Sequence, residues 1–537
     1  MYINKFFSYL ATILILSGCA SSDKTSGLFN DWYDYDSQPI GAPSQMYGQL
    51  SDGYGSTDDT APSSTIAVLL PLTGQNANVG KTIRKSVEIA VLESGKKNLN
   101  VSFYDTNRDF QHSIDSALST NPTVIIGPVF SNNVKSLRDQ RPEHIPVLSF
   151  TSDATAIGDG VTTMNLMPTN GIEAIVHQMR VDNAGKFIIF APDTTSGQLL
   201  AGTAKNAASI YDLSLGGIFY YTPGDPESIK SAASSASMYN TRTSAHTRAR
   251  QVLSDILINE RLTALEKSSL NSQLNKLSKT DTIGRIPYNA ILFLGDGNDT
   301  KSLASYLRYY DVAARDAKFY GTTMWDGSDI ASDITMSGAK YTTLPPISPR
   351  FSNLYERVSG TQPDRLASFG YDAANMAIGM IYSGTPAASY LFNPSGYIGS
   401  DGLFRLTPSG ASERALRIVA LDGFGTVTEI SPAPSDFIKP LYNIEQRHIS
   451  PAPAMKLETP GIDPDDYINI PERLRNKYRS KTIGTNITIA PTIQKSEIVS
   501  IIPPQTDETS IRVANYTPLN LESVSRSYID EYEIYEE

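Results

Sequence analysis

Hydroxyls, a carboxylate and backbone amides cluster just after short apolar runs of this sequence. Run 123–126 is followed by Gly127, Pro128 and Ser131, run 147–150 by Thr151, Ser152 and Asp153, and run 186–191 by Asp193, Thr194, Thr195 and Ser196. Such groups, with helix N-termini beside them, suit a carboxylate or another anionic group; they are equally the residue types that cap helices. No catalytic constellation emerges. GDGND at 295–299 lacks the third glycine and the lysine of phosphate-binding loops, and PLTGQNANVG at 71–80 contains neither GxGxxG nor GxxxxGK[ST]. Ser131 lies in GPVFS rather than GxSxG, with no histidine linked to it by motif. The carboxylate pairs Asp58-Asp59 and Asp465-Asp466 fall in unpatterned stretches, where desolvation cannot set their pKa values apart. One cysteine and five histidines in 537 residues forbid an intrachain disulfide and a Cys₂His₂ or Cys₄ metal site. We therefore expect no enzyme, no catalytic residue, no metal site and no cofactor. With 45 Lys+Arg against 56 Asp+Glu and a net charge of −11, the chain also lacks the basic excess that nucleic acid demands.

The single cysteine follows an apolar run near the start of the chain. Lys5 precedes an apolar run from Phe6 to Leu16, too short to span a bilayer and of signal-peptide length. Leu16-Ser17-Gly18-Cys19 resembles the lipobox of bacterial lipoproteins, which implies a signal peptide at 1–18 and lipidation of Cys19. Ala20, in place of an aspartate, implies sorting to the outer membrane, with the chain facing the periplasm. Residues 19–64 hold seven aspartates and one lysine after Cys19 and show no apolar period, which predicts a disordered acidic tether.

Patterned sequence starts at Thr65. The unbroken apolar run Ile66-Ala67-Val68-Leu69-Leu70 predicts a strand buried on both faces, and KTIRKSVEIAVLES after it predicts a helix with Ile83, Val87, Ala90 and Val91 on one side. Strand and helix then alternate with short loops through 101–105, 111–119, 123–126, 131–139 and 147–150. The rhythm repeats through 186–191, 197–211, 217–220, 290–294, 300–311, 319–321 and 365–383. This is the signature of an α/β fold with parallel sheets. Residues 244–279 carry leucines or isoleucines spaced for an amphipathic helix or helical hairpin, read as an insertion. From 433 to 537 little period remains, and we expect a mostly disordered tail with short ordered pieces at most.

Several blocks resemble a known family. IAVLLPLTGQNANVGKTIRKSVEIAV, then Tyr104-Asp105-Thr106, VIIGPVFSNNV and PVLSFTSD, resemble the opening lobe of type I periplasmic binding proteins. GRIPYNAILFLGDGNDTKSLASYLRYYDV, FYGTTMWDGSD, FGYDAANMAIGM and GSDGLFRLTPSGASERAL are similar to LppC-type penicillin-binding-protein activators, as is the helical insertion. The likeness spans about 65–432. It implies a type I periplasmic-binding-protein fold of two Rossmann-like lobes around a central cleft: lobe 1 about 65–170 and 346–395, lobe 2 about 171–345 and 396–432. It also implies cleft residues: Ser131, Thr151, Ser152 and Asp153 match the ligand-holding positions of amino-acid receptors. Ser196, before Gly197, stands where those receptors carry an aromatic, while Trp325 and Asp326 occupy the loop facing from the second lobe. The expected function is that of an outer-membrane lipoprotein that binds and activates a class A penicillin-binding protein, a peptidoglycan synthase, without catalysis of its own. The alternative is a lipid-anchored receptor that presents an amino acid or small peptide to an ABC transporter, with that small molecule in the cleft.

Overall fold

The computed structural model describes residues 42–46, 63–437, 450–458 and 461–480. A short strand, β1 (Ser44–Gln45), precedes β2 (Ser64–Leu70), α1 (Ala77–Ser94), β3 (Leu99–Asp105), α2 (Phe110–Ser119), β4 (Val124–Ile126), α3 (Ser131–Gln140), β5 (Val147–Ser149) and β6 (Val161–Thr163). The chain leaves this first lobe for α4 (Ile172–Val181), β7 (Lys186–Pro192), α5 (Thr195–Ile210), β8 (Ser214–Tyr221) and α6 (Pro226–Ala236). The second lobe continues with α7 (Tyr239–Asn259), α8 (Ala264–Leu277), β9 (Ala290–Phe293), α9 (Gly297–Tyr309), β10 (Lys318–Gly321) and β11 (Lys340–Thr343). A return to the first lobe brings α10 (Pro349–Ser359), α11 (Arg365–Tyr382), α12 (Ala387–Leu391), β12 (Tyr397–Gly399), β13 (Gly402–Leu406) and β14 (Ser412–Arg414). The last crossing leads to β15 (Arg417–Leu421) and β16 (Val427–Ser431), and α13 (Glu472–Tyr478) lies in the tail.

Lobe 1 is built on a parallel sheet of order β3-β2-β4-β5-β6. Lobe 2 repeats that order as β8-β7-β9-β10-β11, then adds β15 and β16 antiparallel at the β11 side. Both sheets are thus doubly wound with the same topology, and each reverses direction beside its first strand, where open α/β sheets form a crevice at their strands' carboxyl ends. The apolar runs read as continuous because helices cover both faces: Ile66 to Leu70 are buried throughout, with α1 and α11 on one side and α2 and α3 on the other. Helix α11 is buried without interruption from Ala367 to Met380, so small residues ring it and no amphipathic stripe is needed. In lobe 2, α6 and α9 cover one face and α4 and α5 the other.

Two expectations need correction, and the short ordered pieces of the tail have definite places. Residues 396–416 belong with lobe 1, because Tyr397, Phe404, Leu406 and Leu416 pack into its core; only 417–431 join the second sheet. Within the span read as tether, residues 42–46 dock: Ser44 and Gln45 pair in parallel with Tyr397 and Ile398, and Met46 is buried in the lobe 1 core. Within the tail, residues 450–458 run along the free edge of β8, where Met455 pairs with Ile218 and the Tyr220 hydroxyl donates to the Ala452 carbonyl at 2.6 Å. Ile462, Ile468, Ile470 and Leu474 then complete a core with Ala249, Leu253, Ile256 and Leu270 of the α7–α8 hairpin. Asp465 and Asp466 sit in this docked piece, where Asp465 Oδ2 accepts from the Ser480 amide at 3.0 Å. The signal peptide, Cys19 and residues 481–537 lie outside the described residues.

Candidate functional site

In lobe 1 the loop after β5 meets the start of α3. Asp153 Oδ2 accepts from the Ser131 hydroxyl and from Lys135 Nζ at 2.9 Å, while Oδ1 accepts from the Thr155 amide at 2.8 Å and hydroxyl at 2.7 Å. Burial pushes the Asp153 carboxyl up, but the hydrogen bonds from Ser131, Thr155 and Lys135 outweigh it and hold the group well below the ordinary carboxylate range. A carboxylate held that low is a poor base at neutral pH, so the Ser131 hydroxyl is positioned by Asp153 and not activated by it. Thr151 is buried; its hydroxyl accepts from the Asp153 amide at 3.1 Å and its carbonyl from Thr163 at 2.6 Å. Ser152 is half-buried beside them. Ser131 and Thr151 therefore come together around Asp153, as one another's partners. Lys135, four residues and one helical turn after Ser131, is the member sequence reasoning missed.

In lobe 2, Ser196 is half-buried in the first turn of α5, whose cap is the Thr194 side chain accepting from the Gly197 amide at 3.0 Å. A Cβ on Gly197 would collide with the Pro192 carbonyl, so the helix can approach the end of β7 only with glycine there. Trp325 departs from expectation: it is 1% exposed, packs against Phe293 and Tyr341, and donates to Thr300 Oγ1 at 3.2 Å. Its indole fills the space beside Gly321 in the lobe 2 core, so it does not line the cleft. Asp326, the next residue, does reach accessible surface and accepts from the Thr343 hydroxyl at 2.8 Å with both oxygens. Protein still surrounds the carboxyl on most sides. That desolvation pushes it up to about 6, against the hydrogen bonds of Thr343 and Tyr341 and the charges of Arg365 and Arg417.

Those arginines belong to a cluster that stitches the inter-lobe crossings together. Arg365 Nη2 at 3.4 Å and Arg417 Nε at 3.2 Å both donate to the Leu344 carbonyl, on the second crossing. Arg414, at the third, donates to the Met164 carbonyl on the first at 2.6 Å and to Asp401 Oδ1 at 2.8 Å. Asp401 is fully buried, accepts from Ser368 at 3.0 Å and has Arg365 3.8 Å away. Burial, and after it the charge of Asp401, pushes the neighbouring Asp372 carboxyl up; its Oδ1 accepts from the Ser400 amide at 2.9 Å. No local pattern marks these residues, because partners such as Arg414 and Met164 are 250 positions apart.

Among the described residues, no group of three or more His, Cys, Asp or Glu could hold a metal ion, and no helix is long and apolar enough to cross a membrane.

Two doubly wound lobes, three crossings and a cleft between strand ends define the type I periplasmic-binding-protein fold. A "putative branched-chain amino acid ABC transporter" from Rhodospirillum rubrum shares it, with a TM-score of 0.50 and 15% identity over 68% of this chain and 100% of that one. Residues 57–208 match the family described as "LppC putative lipoprotein". The chain is also similar to the LpoA (YraM) C-domain of Haemophilus influenzae, a regulator of PBP1A, at 16% identity and a TM-score of 0.45 over 68% of this chain and 100% of that domain. A leucine-binding protein of Thermotoga maritima aligns at 16% identity and a TM-score of 0.41 over 68% and 98% of the two chains. No curated protein matches the chain in sequence.

Proposed function

We propose that this chain is a lipid-anchored regulator that binds a class A penicillin-binding protein and stimulates its peptidoglycan synthesis, with no chemistry of its own. The LppC match over residues 57–208 carries this reading. The state of the cleft residues agrees with it, since Asp153 already has partners on both oxygens and Trp325 is buried in the core. Anchoring through Cys19, outer-membrane sorting by Ala20 and a periplasmic orientation are part of the proposal. Purified full-length chain, mixed with purified class A synthases, is expected to co-purify with one of them and to raise its rate of glycan polymerisation. Neither contact nor stimulation with any class A synthase of the source cell would overturn the proposal.

The fold shared with the Rhodospirillum rubrum protein favours one other reading, a tethered receptor for an amino acid or small peptide. A thermal-shift screen separates the two. A ligand bound only by the folded state raises the melting temperature by mass action, whereas a regulator with an unused cleft shows no shift with any amino acid or short peptide.

A further inference from the structure

The two lobes are joined by chain crossings at 164–171, 344–348 and 415–416. The segment after β16 makes another. β16 belongs to the lobe 2 sheet and ends at Ser431, which pairs with Ile418 close to the third crossing. Six residues later Phe437 lies on lobe 1, its ring under the Arg405 guanidinium at 4.4 Å from the centroid. Arg405 is a rigid platform: its side chain is 6% exposed, Nε donates to Glu413 Oε2 at 2.6 Å, and Nη1 donates to the Pro394 carbonyl at 3.0 Å. The ring also fills space that only glycine leaves open. Gly396 has φ +74, and a Cβ there would come within 2.8 Å of Phe437. By Ser450 the chain is back on lobe 2, where the Ala452 amide donates to the Gln198 carbonyl at 3.1 Å.

We propose that residues 432–437 form a fourth inter-lobe connection, a strap anchored by Phe437 on Arg405 that restricts how far the lobes open. Six residues reach at most about 20 Å when fully extended. Pro432 and Pro434 stiffen the segment by fixing two of its φ angles. While Phe437 stays docked, rotation about the three crossings that draws Arg405 away from Ser431 stops at that length. Cation–π contact and burial against Gly396 hold the anchor in place.

The test measures the distance between lobes. In the full chain, with Cys19 replaced by serine, spin labels are placed on Asp115→Cys of α2 and Ser231→Cys of α6, both exposed and each far from the crossings in its sheet order. The parent is expected to give a narrow distance distribution by pulsed electron resonance. Phe437→Ala is expected to broaden it and lengthen its mean, while Phe437→Trp, which keeps an aromatic face for Arg405, retains the parent distribution. Insertion of four glycines between Ala433 and Pro434 lengthens the strap without touching its anchor and is expected to act like the alanine variant, which covers the case in which that variant folds poorly. Distributions identical to the parent for both the alanine and the insertion variants would overturn the proposal.

Discussion

Asp153 accepts from Ser131, Lys135 and Thr155 at once, and this saturation decides what the residue does. Its folded-state pKa is depressed, so its contribution to stability is present above the unfolded carboxylate value near 4 and is lost as pH falls below it. Asp153→Asn is therefore expected to cost on the order of 1 kcal/mol at neutral pH, a modest figure because Lys135 is partly exposed. Urea titrations of parent and variant should converge as pH is taken below about 4. A gap that stayed constant down to pH 3 would mean that the carboxylate's charge is not what Ser131 and Lys135 hold. Trp325 teaches the complementary lesson. An aromatic next to an acid in a loop reads as a lid, yet here the indole completes an aromatic core with Phe293 and Tyr341, and sequence cannot tell the two uses apart.

Among the elements, those buried on two sides were the most legible. β2 announces itself because Ile66 to Leu70 are apolar and buried without a break, and α11 because small and apolar residues surround its buried Ser368, Asp372 and Asn375. The docked tail was not legible: its four apolar anchors are scattered among Asp and Pro over a 3₁₀ turn and a seven-residue helix, too short for any period to show. The hairpin depends on it all the same. Leu474→Asp is expected to release the tail piece and to strip hydrogen-exchange protection from α7 and α8, while β7, β9 and β10 stay protected. Protection unchanged in the hairpin would show that it is stable alone. The crossings can be tested in the same spirit. Arg414→Met leaves Asp401 buried and short of a partner, an expected loss of about 3–5 kcal/mol in denaturant unfolding. Adding Asp401→Asn should restore part of that loss, since the uncompensated charge goes with it.

At the scale of the whole molecule, displaced carboxylates pull in opposite directions. Asp153 and Asp182 are held low by hydrogen bonds that outweigh burial, whereas burial pushes Asp299 up to about 6. A raised folded pKa means that the native state holds the proton more tightly, so the Asp299 contribution is full below about pH 4 and is lost as pH rises to about 6. For the buried Asp299 this amounts to about 3 kcal/mol at most. The melting temperature of Asp299→Asn should accordingly vary less between about pH 4 and about pH 6, the limits of that window, than the parent's. An unaltered profile would assign the dependence to other groups. The parallel α/β architecture was readable from the repeated strand–helix rhythm, and the arginine stitching was not, because it is written only in contacts between distant segments. Those same distances set a schedule for the nascent chain. Lobe 1 takes its last sheet and core residues from 397–416, and lobe 2 seals the β8 edge and the hairpin with residues 450–474. Emerging N-terminus first from a ribosome or a pore, the polypeptide has no completed half to fold until more than three-quarters of it is out, and its slow, non-local closure happens all at once near the end.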